Sequence, residues 1–299
     1  MSKKQFLKRY LLIINKLRKK PCSFEGMHEH LQHQSELDDE SYEISIRTFQ
    51  RDIKEIGSIY NIEISYNRSQ NMYEIVYDEN EDRSERLMES FEIFNALNLS
   101  SSLQNHIIVE KRKPLGTENM NGLLHAIKNN FEVVFTHDKH WQDEHKKIRK
   151  VYPLSLKEAQ NRWYLVAKDP KDGVVKTFGL DRISELQITT KKFSYPLHYQ
   201  HDEKFKYSYG IITNEIKPEK IKIALSQEQA NYIKTLPLHY SQNIVSENDE
   251  ECIIELHLSP TYDFLMELMS IGAEVKVLEP ESLKKEMIEK LEAALLRYK

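Results

Sequence analysis

An α+β chain of several small domains is what this sequence predicts, and three observations predict it. Helical stripes over residues 3–20 and 45–56 give way to two alternating β runs at 61–66 and 72–77. Short β runs separated by turn signals then fill residues 131–190. Beyond residue 217 the order reads βαββαβ with an extra helix at the end. A chain of 299 residues has room for such a series of cores.

Composition narrows the classes. A formal net charge of −4 gives no general attraction to nucleic acid, so any such surface has to be local. Cys22 and Cys252 are too far apart in sequence for a disulfide framework or a cysteine-rich zinc site, and this points to a reducing cytoplasm. The start of the chain is charged from its third residue, and no window approaches the run of about 18 apolar residues that spans a bilayer. A cytoplasmic protein without a membrane segment is expected.

In residues 1–78, Phe6, Tyr10, Ile13, Ile14 and Leu17 form one helical stripe within a stretch that holds eight basic residues and no acid. A second helix is expected through Met27 and Leu31, followed by an acidic linker over residues 35–43. Ser45 is placed to cap a third helix whose core would be Ile46, Phe49, Ile53 and Ile56. Around that cylinder lie Arg47, Thr48, Gln50, Arg51 and Lys54, mostly long donor-bearing side chains suited to base edges and phosphates. Two β runs follow, joined by the polar tip Asn67-Arg68-Ser69-Gln70-Asn71. Three helices and a hairpin describe a winged helix-turn-helix for double-stranded DNA, with Arg68 reaching phosphate or minor groove from the wing. The competing reading is a structural domain with a solvated basic face, and the run Glu36-Leu37-Asp38-Asp39-Glu40, which repels phosphate, counts toward it. His28, His30 and His33 lack the His-Glu-x-x-His spacing and read as surface residues.

Residues 79–130 read as a helical connector with stripes Leu87, Phe91, Phe94, Leu97 and Met120, Leu123, Leu124, Ile127. Residues 131–195 hold a strand at 131–136, two short strands at 146–151 and 154–157, a hairpin, and a strand at 185–190. The hairpin is the most legible element: Arg162 to Ala167 alternates, Asp169-Pro170-Lys171-Asp172-Gly173 turns, and Val174 to Phe178 returns. Strands this short and closely spaced predict a small twisted barrel of the kind that OB-like and Sm-like domains share, with an Sm-like β-barrel the expected form. His137, His140 and His145 share a charged loop without ligand spacing, so no metal is expected. Residues 217–299 predict a ferredoxin-like domain, with Gly272 ending its second helix.

Three stretches resemble known families. Ile46 to Ile53 is similar to the Arg-Thr-x-x-Arg-Asp-Leu/Ile recognition helix of regulators related to the DeoR family. Arg149-x-x-x-Pro153, Arg162-Trp163-Tyr164-Leu165 and Phe178-x-Leu180-Asp181-Arg182-Ile183 together resemble the WYL domain of bacterial transcription regulators. Ile271 to Pro280 looks like the extension that accompanies such domains. The resemblance implies a basic, ligand-sensing pocket at Arg149, Tyr164 and Arg182, and Lys176 on the adjacent strand would add charge. Two guanidinium groups and a phenol suit a phosphate-bearing guest, a nucleotide or oligonucleotide effector. Gly179 departs from the pattern, since many members place a second Arg there, and the pocket would be less basic for it.

The expected protein is therefore a homodimeric, ligand-responsive transcription regulator, with repressor the expected sign, that reads an inverted-repeat operator. No cofactor and no enzymatic activity are expected. The eight glycines form neither a P-loop nor a dinucleotide fingerprint, and Gly-x-Ser-x-Gly is absent. Two competitors are an adaptor that binds RNA or single strands through the barrel, and a nucleotide-processing enzyme.

Overall fold

The computed structural model describes residues 3–38, 40–78, 89–90, 93, 116–138, 146–197, 199, 201–213 and 216–299. The chain divides into two compact units, residues 1–111 and 112–299. The expected helix through Leu87 and Leu97 lies outside the described residues, as do His140 and His145.

The first unit packs α1 (Lys3–Lys19), α2 (Phe24–Asp38) and α3 (Ile46–Tyr60) with a hairpin of β1 (Ile62–Asn67) and β2 (Met72–Asp78). Ile13, Ile14, Met27, Leu31, Phe49 and Ile56 are fully buried at its centre. The Ser45 hydroxyl accepts the Thr48 N–H at 3.3 Å and starts α3. Asn61, left-handed at φ 56°, ends α3 and turns the chain into β1. Two expectations need correcting. α2 continues to Asp38, so the first acids of the supposed linker are helical; Ser35 stabilises this turn by donating to the Leu31 carbonyl and accepting from the Tyr42 N–H. Ile46 is 42% exposed rather than core, because it lies in the first turn of α3, ahead of the turns that pack through Phe49 and Ile56.

In the second unit a 3-10 turn (Thr117–Asn119) leads into α4 (Met120–Asn129). Five strands follow: β3 (Phe131–Asp138), β4 (Lys146–Ala159), β5 (Arg162–Lys168), β6 (Val175–Gly179) and β7 (Ile183–Lys192). They form an open antiparallel sheet in the order β6-β5-β4-β3-β7, not the expected closed barrel. Closure would pair β6 with β7, but these are the two edges, joined by one 3-10 turn (Leu180–Arg182). The apolar face is covered instead by α4, whose Leu123 and Ala126 pack with Val133, Phe135, Leu165 and Phe178. The two short strands expected at 146–157 are one strand, β4, with a register shift between Pro153 and Ser155 where it passes from β3 to β5.

The rest of this unit begins with the short helix α5 (His201–Phe205) and continues as β8 (Glu219–Ser226), α6 (Gln227–Thr235), β9 (Asn243–Glu247), β10 (Glu251–Leu258), α7 (Tyr262–Ile271), β11 (Val275–Glu279) and α8 (Glu281–Leu296). Its sheet has the order β11-β8-β10-β9, all antiparallel, which is the split βαβ arrangement. The segment after α5 is tied to α7: the Asp263 carboxylate accepts the N–H groups of Ile211 and Ile212 at 2.9 and 3.2 Å. No described helix is long and apolar enough to cross a membrane.

Candidate functional site

In the first unit, Arg47, Thr48, Gln50, Arg51 and Lys54 line one shallow groove of about 460 Å³ along α3. Gln50 and Lys54 also border a larger groove of about 820 Å³ walled by Phe24, Ile46, Ile53, Ile64 and Tyr66. The exposed Ile46 forms part of that wall. Arg68 stands at the exposed tip of the hairpin, where Asn67 accepts from both the backbone N–H and the hydroxyl of Ser69.

What holds α3 in place is a buried ion pair. Arg9 and Asp52 are both fully buried, and Arg9 Nε and Nη2 each lie 2.7 Å from Asp52 Oδ2. Burial pushes the Asp52 carboxyl up, and the Arg9 charge opposes that shift. Arg51 Nη2 lies 3.7 Å from the other Asp52 oxygen, so the neighbouring arginine is steered by the same carboxylate. Arg9 is one of the eight basic residues among the first twenty, to none of which the sequence assigns an individual role. Its position between Phe6 and Ile13 on the apolar stripe was the signal that it faces inward.

In the second unit the four residues expected to form one pocket divide into two pairs. Arg149 and Lys176 converge on Asp169, at 4.0 and 2.7 Å. Lys176, with the N–H of Lys171, holds the Asp169 carboxyl below the usual range. Arg149 also stacks over Phe178, with 6.0 Å from its guanidinium carbon to the ring centroid. Tyr164 belongs elsewhere: it pairs with Gly179, whereas Lys176 pairs with Ala167, three residues along β5. An odd step along a strand reverses the face. Tyr164 and Arg182 therefore share one face of the hairpin, and Arg149 and Lys176 share the other.

Gly179 explains itself in this setting. A Cβ there would stand 2.4 Å from Asp181 Oδ1 and 3.1 Å from Arg182 Nε. The missing side chain leaves the room that the Asp181-Arg182 pair occupies. Burial pushes the Tyr164 phenol up, keeping it a hydroxyl donor. Among the described residues no group of three or more His, Cys, Asp or Glu side chains could hold a metal ion.

The open sheet with its covering helix, followed by the split βαβ domain, corresponds to two known domain families. Residues 118–188 match the family model for the WYL domain, and residues 217–295 match that for the WCX domain. The chain thus holds a segment similar to the WYL domain and, after it, one similar to the WCX domain. The chain is also similar to the solved structure of proteasome accessory factor B/C (PafBC) of Arthrobacter aurescens, at 18% identity and a TM-score of 0.36, covering 97% of this chain and 46% of that one. It therefore spans about half the length of that relative. A second likeness is to the crystal structure of a CRISPR Cas-related protein, at 12% identity and a TM-score of 0.40, covering 88% and 76%. None of the curated proteins matches.

Proposed function

We propose that this protein is a DNA-binding transcription regulator whose WYL domain senses a nucleotide or oligonucleotide. The observation that carries the reading is the α3 face: five polar or basic side chains on one exposed groove, on a helix fixed from behind by a buried ion pair. The unit acts as a winged helix-turn-helix, with α3 in the major groove and Arg68 at the wing. Arg47 and Arg51 read or position the duplex, and Thr48, Gln50 and Lys54 complete the surface. The protein works as a cytoplasmic homodimer on an inverted repeat, represses, and changes its DNA affinity when the WYL domain takes its ligand. It does no chemistry on that ligand.

Enrichment of binding sites from a randomised duplex pool tests this. The expected result is an inverted repeat that is no longer enriched by an Arg47→Ala, Arg51→Ala variant. No enriched duplex, alongside recovery of single-stranded RNA by the same variant, would replace the regulator with a single-strand adaptor.

A further inference from the structure

The larger groove beside α3 has no part in the polar surface assigned to DNA above. Phe24, Ile46, Ile53, Ile64, Tyr66 and Tyr73 wall it, an apolar lining around a space of about 820 Å³. A lone exposed apolar side chain is ordinary, but a contiguous apolar lining marks a contact surface. Ile46 and Tyr66 on its walls are 42% and 43% exposed. The groove runs on into the basic one, since Gln50 and Lys54 line both.

The chemistry of the walls says what can lie against them. Among the residues that line this groove Glu25 is the one acid and Lys54 the one cation, whereas Arg47 and Arg51 line the basic groove. A phosphate is better served by the basic groove, which leaves the apolar one to a base edge. In the major groove of a duplex, the apolar group that a base edge presents is the thymine C5-methyl.

Ile46 and Gln50 are placed to meet it. They are four residues apart in α3 and so neighbour one another on one face, with about 5–6 Å between Cβ atoms. Ile46 directly follows the Ser45 cap, and the N-terminal residues of a recognition helix are those that reach base edges. Gln50 is exposed, and its amide acts as a hydrogen-bond donor toward the buried Tyr73 phenol, whose ring stands edge-on to Phe49 at 4.9 Å. That tie uses one N–H. The carbonyl and the second N–H remain, and they are the acceptor and donor that adenine N6 and N7 require.

We infer that Ile46 is a specificity-determining residue: in each half-site it packs on the thymine methyl of an A·T pair whose adenine is held by Gln50. The inference rests on the DNA-binding reading above and deepens it, from a polar surface to a named base pair. Ile46 carries no charge, so its share of the recognition is independent of salt, unlike that of Arg47 and Arg51.

Single deoxyuridine substitutions in the duplex enriched by the full chain test this, because each removes one methyl and leaves pairing intact. The parent is expected to lose about fourfold in affinity at one thymine of each half-site, the yield of one buried methyl, at low and moderate salt alike. Ile46→Ala should bind the thymine and deoxyuridine duplexes equally, and Ile46→Val should keep the preference. 7-Deazaadenine opposite that thymine should weaken the parent by about five- to tenfold and leave Gln50→Ala unaffected. Either effect surviving in the variant meant to remove it overturns the inference, as does a specifically bound duplex in which no thymine methyl matters; both results leave the regulator standing. Failure of the pool to yield any specific duplex overturns the regulator and the inference together.

Discussion

Asp52 shows how one residue sets the α3 surface. It is fully buried against Arg9, so removing it strands a guanidinium in the core. Asp52→Ala is expected to cost about 3–5 kcal/mol in urea unfolding of the first unit, whereas Arg9→Met with Asp52→Leu recovers most of it, because an apolar pair of similar volume carries no desolvation cost. Two glycines make a second, opposed pair. Gly116 has φ +89°, and a Cβ there would meet the Leu180 backbone at 2.1 Å, so Gly116→Ala should destabilise by at least about 2 kcal/mol. Gly57 lies inside α3 with only an ordinary 3.5 Å contact to the Ile62 carbonyl, so Gly57→Ala should stabilise by about 0.5–1 kcal/mol. Chemical denaturation reads all of these, and equal effects at Gly116 and Gly57 would show that the close approach to Leu180 is not a constraint. Arg9 was legible from its place on the stripe. The Gly116 contact was not, because it joins backbones 64 residues apart, alongside the Asn119 to Ile183 hydrogen bond.

At the scale of elements, the β5-β6 hairpin was the most legible part of the chain and the sheet that contains it the least. Asp169-Pro170-Lys171-Asp172-Gly173 gave the turn, and Gly173 does adopt φ +73°. The register also lay in the sequence, since pairing outward from that turn puts Tyr164 opposite Gly179 and Lys176 opposite Ala167. Counting the step of three would have separated the two pairs of candidate residues. The barrel failed for another reason. With α4 assigned to a connector, the apolar face had no cover except the sheet itself; with Leu123 and Ala126 laid on it, closure is unnecessary. The turn also has a pH signature. Lys176 holds Asp169 below the usual range, so the folded state binds that proton more weakly than the unfolded chain, whose Asp titrates near about 3.9. The stabilisation is complete above about pH 4 and is lost as pH falls through the depressed native value. Melting curves of Asp169→Asn should therefore fall below the parent at neutral pH and converge with it in acid; a gap that persists in acid would mean the carboxylate is not the source.

For the whole molecule, the proposed regulator requires DNA binding at α3 to be coupled to ligand binding in the other unit, and such coupling has to be reciprocal: whatever factor the ligand applies to DNA affinity, DNA applies to ligand affinity. Charge sets the terms of the first contact. With a net charge of −4 the chain as a whole repels a duplex, so the proposed association with DNA requires the local cations of α3 and the wing. Arg68→Ala, at the hairpin tip, should weaken binding to all duplexes alike and reduce the slope of log affinity against log salt by about one. Arg51→Ala should cost about 1–3 kcal/mol and relax sequence preference if it reaches a base. A slope unchanged by Arg68→Ala would remove the wing from the interface. The measurement that bears most directly on the regulator is the affinity of the full chain for duplex DNA from upstream of its own gene, beside a scrambled duplex of equal length, at physiological salt. The account predicts a preference of about a thousandfold or more, abolished by Arg47→Ala with Arg51→Ala. Equal, weak binding to both duplexes would contradict it.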